Sequence, residues 1–156
     1  MAINPNTNFT AGAILTADQM NRFPRGVMGQ VTKTSNYTLT AVDTLIPTMS
    51  ITFTAEANRV YVGHFKSLIT KSVAPGLTAT SMNKVVSGLS TTLGVSVVTS
   101  STSTAVDEHI LTVPILGLAA GSVTIEVLAA YVDNGGTLTA SATNIMFFYV
   151  EDLGPA

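Results

Sequence analysis

From Val27 onward, apolar residues recur at every second position. In Met49–Ala55 the residues Met49, Ile51, Phe53 and Ala55 fall on one side and Ser50, Thr52 and Thr54 on the other, the alternation of a half-buried strand. Glu56–Arg59 reads as a turn into a second strand, Val60–Ile69. This one is apolar on both sides, with Val60, Val62 and Leu68 on one and Tyr61 and Phe65 on the other. That predicts a central strand, or one covered by a neighbouring subunit. Pro75-Gly76 marks a turn, Lys84–Ser87 and Val95–Thr99 read as short strands, and Ser100–Thr104 as a low-complexity loop tip. Glu108–Leu116 is predicted as a strand that Pro114 confines to an edge or to its own end. Ser122–Val132 alternates, with Val123, Ile125, Val127 and Tyr131 sharing a face. Asp133-Asn134-Gly135-Gly136 then gives the strongest hairpin signal in the chain. The last strand, Ile145–Glu151, puts Phe147 and Tyr149 on one side and Phe148 on the other.

The first 25 residues follow a different pattern. Residues 1–13 are polar with isolated apolar positions and predict an extended arm. Thr16 suits an N-cap, Gln19 its reciprocal partner, and Leu15 with Met20 a hydrophobic staple, so a short helix is expected. Phe23-Pro24 and Gly26 end it after one or two turns. The predicted organisation is an N-terminal docking arm with a short helix over 1–25 and a β-sandwich over 26–156. Many strands between turns and almost no helix imply an all-β fold, an antiparallel jelly-roll-like β-sandwich. Ile3, Phe9, Ile14, Leu15, Met20, Phe23 and Arg25 are the candidate docking residues of the arm, because Phe and Ile are unusual in a tail that only solvates. Tyr61, Phe65, Phe147, Phe148 and Tyr149 are the candidates for self-association and packing.

Composition narrows the function. Charged residues are 10% of the 156-residue chain, against about 25% in an ordinary soluble domain. Thirteen Ser and 24 Thr take their place. A surface so poor in charge is expected to be covered by other protein, in an oligomer or larger assembly. A net charge of −2 without a Lys/Arg cluster gives no footprint for nucleic acid. With no cysteine there are no disulfides and no thiol chemistry. The opening residues have neither the basic nor the apolar region of a secretory signal, and no apolar run is long enough to cross a bilayer as a helix.

Catalytic constellations are scarce. Asp107-Glu108-His109 offers at most two ligands from one strand face, short of the three or four that zinc takes, and reads as a solvated strand start. His64, among apolar neighbours, reads as a packed, hydrogen-bonded histidine rather than a base. The string Ser87-Gly88-Leu89-Ser90 lacks the flanking glycine of a nucleophile elbow. Glu151 and Asp152 point to opposite faces of a strand, so they suit capping or a salt link to Arg59 or Arg25. The glycines of 26–29 and 135–136 read as turn residues, not phosphate cradles. No enzyme activity, metal or cofactor is expected.

Three segments carry a family resemblance. Asn4–Gln30 holds Leu15-Thr16-Ala17, Asn21 and Arg25-Gly26; Ser50–Gly63 reads SITFTAEANRVYVG; Phe147–Ala156 reads FFYVEDLGPA. In order and spacing these resemble the arm, the "TFTA-x-x-x-R-x-Y" hairpin and the "VEDLGP" ending of small structural proteins of tailed bacteriophages. Those serve as minor tail, head-fibre or capsid-decoration components. The resemblance implies a virion protein assembled in the bacterial host cytoplasm and commonly trimeric. Its partners would be its own copies and the major capsid protein or head-to-tail and tail proteins, with neither nucleic acid nor membrane. Its loops near 100–104 and 134–136 would then face outward. The alternative is a tail-associated adhesin-like module binding a host surface glycan.

Overall fold

The computed structural model describes residues 24–71, 76–100, 106–133, 135–140 and 143–156. The candidate arm residues Ile3, Phe9, Ile14, Leu15, Met20 and Phe23, the expected short helix, and the loop tip at 101–104 lie outside the described residues. What is described is all-β. The strands are β1 (Gly26–Lys33), β2 (Tyr37–Thr38), β3 (Thr44–Ala55), β4 (Arg59–Lys71), β5 (Gly76–Val86), β6 (Leu89–Ser100), β7 (Val106–Ile115), β8 (Gly121–Tyr131), β9 (Gly136–Thr139) and β10 (Met146–Pro155).

The pairing is nested. β1 pairs with β10, β3 with β8, β4 with β7 and β5 with β6, all antiparallel. This is one long hairpin with its tip between β5 and β6. It is rolled up so that β10 also pairs with β4, and β8 with β5. The result is two antiparallel sheets, β1-β10-β4-β7 and β3-β8-β5-β6, the wrapped arrangement of a jelly roll. In the first sheet β9 continues the lane of β10 along Leu68–Lys71, with β2 beside it.

Alternation decides what each strand buries. On β10, Met146, Phe148, Val150 and Asp152 point inward and are buried, while Phe147, Tyr149 and Glu151 point outward and are half-buried. On β8, Val123, Ile125, Val127 and Ala129 point inward. Tyr61, Phe65 and Phe148, three of the five candidates for self-association and packing, are among the largest fully buried side chains and fill the core of the single chain. Burying each stabilises the fold by roughly 1.5–3 kcal/mol. The central position expected for β4 is observed, with β10 and β9 on one side and β7 on the other. Pro114 lies on β7, whose partner is β4, and such an edge tolerates its missing N–H.

Three turn readings are corrected. Glu56–Asn58 is not a hairpin: it carries the chain from β3 in one sheet to β4 in the other. The Glu56 N–H that a hairpin ladder would have used donates instead to the Tyr61 hydroxyl at 2.9 Å, and the Phe53 and Tyr61 rings meet at 5.1 Å across the core. The segment after β8 is not a hairpin either, since β8 and β9 belong to different sheets. Its polar groups bind β5: the Asp133 carboxylate accepts the Leu77 N–H, and the Val132 N–H donates to the Leu77 carbonyl at 3.0 Å. The tightest hairpin is instead at Ser87-Gly88, with φ of 52° and 79°, the doubly positive pair of a type I′ turn. It joins strands of 11 and 12 residues where two short ones were expected. Gly29 is a strand residue, not a turn glycine. A Cβ there would stand 2.6 Å from the Ile51 Cγ2 of the facing sheet.

Candidate interaction surface

The outward residues of the first sheet fall into rows set by strand register. One row reads Gln30, Tyr149, His64 and Thr112 across β1, β10, β4 and β7. The next reads Thr32, Phe147, Lys66 and Ile110. His64 lies flat on Tyr149, with ring centroids 4.5 Å apart and planes 13° apart, and Phe147 meets Tyr149 at 5.3 Å. The imidazole is held at both nitrogens, Nδ1 lying 3.2 Å from the Thr112 hydroxyl and Nε2 lying 3.1 Å from the Glu151 carboxylate. Lys66 pairs with Glu108 beside it. This is a rigid aromatic patch whose neighbouring charges are paired within the chain. Such a surface can be covered by protein without stranding a charge.

Of the five candidates for self-association and packing, Phe147 and Tyr149 are the two on this face. His64, expected to be packed, is hydrogen-bonded but stands on the outside, with a quarter of its side chain exposed. Sequence reasoning does not group His64, Thr112 and Glu151 with the aromatics. Two-residue periodicity gives the face of each residue within a strand, but not which strands lie side by side. Arg25, the described candidate from the arm, pairs with Glu56 at the turn between β3 and β4. Asp152 and Arg59 form the expected salt link, fully buried, with Nε 2.7 Å from Oδ2.

The outer face of the second sheet is chemically different. Its Thr52 and Thr124 hydroxyls meet at 2.7 Å across β3 and β8, and Ser81 donates to Asp43 at 2.6 Å. No aromatic ring contact occurs there among the described residues.

The interior holds the other histidine. His109 is not a solvated strand start but fully buried, opposite Ser67 on β4, with Nδ1 3.4 Å from the Thr80 hydroxyl. Burial alone pulls its imidazole down to about 4, so it is neutral at pH 7. Its Nε2, the Ser67 hydroxyl and the Thr78 hydroxyl have no hydrogen-bond partner among the described residues. Lys71 is buried as well and donates to the Leu77 carbonyl at 2.8 Å; burial lowers its ammonium pKa, which Asp133 partly restores. A pocket of about 530 Å³ lies between Asn58–Val60 and Leu116–Ala119. Its one charged side chain, Arg59, is committed to Asp152. Among the described residues no three His, Asp or Glu side chains could share a metal.

No family model and no curated protein matches the chain. Among solved structures it is similar to the Eiger TNF of S. frugiperda, with a TM-score of 0.50 over 86% of this chain and 94% of that one. At 11% identity the likeness concerns the fold alone, a two-sheet jelly roll.

Proposed function

We propose that this chain is a non-enzymatic structural protein of a tailed-phage particle, a decoration, head-fibre or tail component that assembles as a trimer. Trimerisation uses the outer face of the β1-β10-β4-β7 sheet. The observation that carries the reading is the half-buried patch of His64, Phe147 and Tyr149, with the neighbouring charges paired within the chain. Three rings in contact on the outside offer aromatic area to a partner beyond what they add to the sheet, and aromatic residues are enriched where protein meets protein. The scarcity of charge and the three segments that resemble tailed-phage structural proteins suggest the particle context. Residues 1–25 fasten the trimer to shell or tail proteins, and their contact area adds to particle stability as any ligand of the assembled state does.

Native mass spectrometry of the full chain tests the assembly. A multiple of three chains per assembly is expected for the wild type and loss of that multiple for Tyr149→Arg; a monodisperse wild-type monomer would overturn the reading. Limited proteolysis tests the arm: the first two dozen residues should be cut in free protein and protected on phage particles. A specific hit on a glycan array, with no binding to particles, would favour the adhesin alternative.

A further inference from the structure

Sheet edges expose unpaired N–H and C=O groups that can template another strand, and proteins block them with charge, proline, bulges or brevity. The edges here are unequal. β1 has a register break between Val27 and Gly29 and ends on Lys33. β2 is two residues long. β3 has Pro47, a positive φ at Thr48 and a register break between Leu45 and Ser50. β7 has Asp107, Glu108 and Pro114.

β6 has none of these over its second half. Among the described residues its one partner is β5, and its one irregularity opposes the Met82/Asn83 step. Beyond it, Gly94–Thr99 runs as Gly-Val-Ser-Val-Val-Thr in regular register, with neither charge nor proline. Val95 and Val97 point outward at 56% and 55% exposure.

We infer that the β6 edge is a second self-association site, where the strand pairs antiparallel with β6 of another copy about a twofold axis. The occupant is another copy because the strand is complementary to itself. Centred on Val97, the pairing sets Val97 against its own counterpart and Val95 against Thr99, all on the outward face. Pairs of β-branched residues across strands are favourable, and identical uncharged strands bring no like-charge repulsion. Such an isologous contact closes on itself. It goes beyond the trimer reading and does not require it, since Val97 and Tyr149 lie on different sheets. With both contacts in place, edge pairing links trimers to one another.

The chain has no cysteine, so a single introduced thiol gives a clean readout. Antiparallel neighbours hold their Cα atoms about 4.5–5.5 Å apart, within disulfide range. Under mild oxidation Val97→Cys should run as a covalent dimer on a non-reducing gel. Val132→Cys, equally exposed at 61% but off the edge, should not. Val97→Lys should lower the native mass, to three chains where the trimer forms and to one where it does not. Adding Tyr149→Arg to the Val97→Cys chain should remove the threefold contact and leave the covalent dimer intact, so the two readings can fail separately. Hydrogen exchange at Val95–Thr99 should slow as chain concentration rises. Cross-linking no greater at 97 than at 132, an unchanged mass for Val97→Lys, or exchange independent of chain concentration would each overturn the proposal. Protection that appears only when phage particles are added would identify a foreign strand, and would overturn it too.

Discussion

Across the middle of the first sheet the outward row reads Gln30, Tyr149, His64 and Thr112; across the second it reads Thr52, Thr124, Val85 and Ser90. Both rows belong to antiparallel sheets over one shared core, so secondary structure does not distinguish them. Side-chain chemistry does. The first row stacks rings and holds an imidazole at both nitrogens, giving a stiff surface with aromatic area to bury. The second bridges small hydroxyls that water satisfies equally well. The first row is therefore suited to protein and the second to solvent.

The most severe test of this contrast sets Phe148 against Phe147. Phe148→Ala should lower unfolding free energy by about 3–5 kcal/mol in chemical denaturation, because it empties a fully buried core position. Phe147→Ala, one residue earlier but on the outside, should change unfolding far less and act on native mass instead. Equal losses for the two would mean that the outer patch is only a packing layer.

The next largest effect lies between the sheets and depends on acid. His109 is neutral when folded, with a pKa lowered to about 4 by burial, against about 6.5 when unfolded. Below pH 6.5 the unfolded chain therefore takes up a proton that the folded chain refuses. Stability should fall between pH 6.5 and 4, by roughly 3 kcal/mol in all, and then level off as far as this group is concerned. His109→Gln should remove that part of the slope in Tm measured against pH. An unchanged slope would assign the acid loss to other groups.

A direct contrast of the two exteriors comes next. Thr124→Arg, on the second sheet, should leave native mass unchanged, where Tyr149→Arg should break the threefold assembly. Dissociation by both would remove the distinction between the faces. The smallest expected effect belongs to the hydroxyl pair on the second sheet. Thr52→Val should shift stability by no more than about 0.5 kcal/mol in urea titration, since an exposed cross-strand pair contributes little.

How far the sequence reaches is clearest strand by strand. Met49–Ala55 and Ser122–Val132 are legible because each buries one face, and alternation is the direct record of that. β5 is not. It buries Thr78 and Thr80 inside the molecule, so its inward positions do not look apolar. The turns mislead for a related reason. Asp133 has the look of a hairpin residue but binds the start of β5, while Ser87-Gly88, a less common pair, makes the tight reversal. Phe147 and Tyr149 are identifiable as unusual, yet His64 is 83 residues from Phe147 in the chain and reaches this aromatic patch only through β10–β4 register.

The all-β character, the face each residue takes within most strands, and the shortage of charge are written in the amino-acid order alone. These follow from a period of two and from composition, both local properties. Long-range packing selected which strands are neighbours, which aromatic rings enter the core and which stay outside, and which described strands stand at the sheet edges. Those depend on how a nested hairpin rolls up, and that is fixed by contacts between residues far apart in the chain.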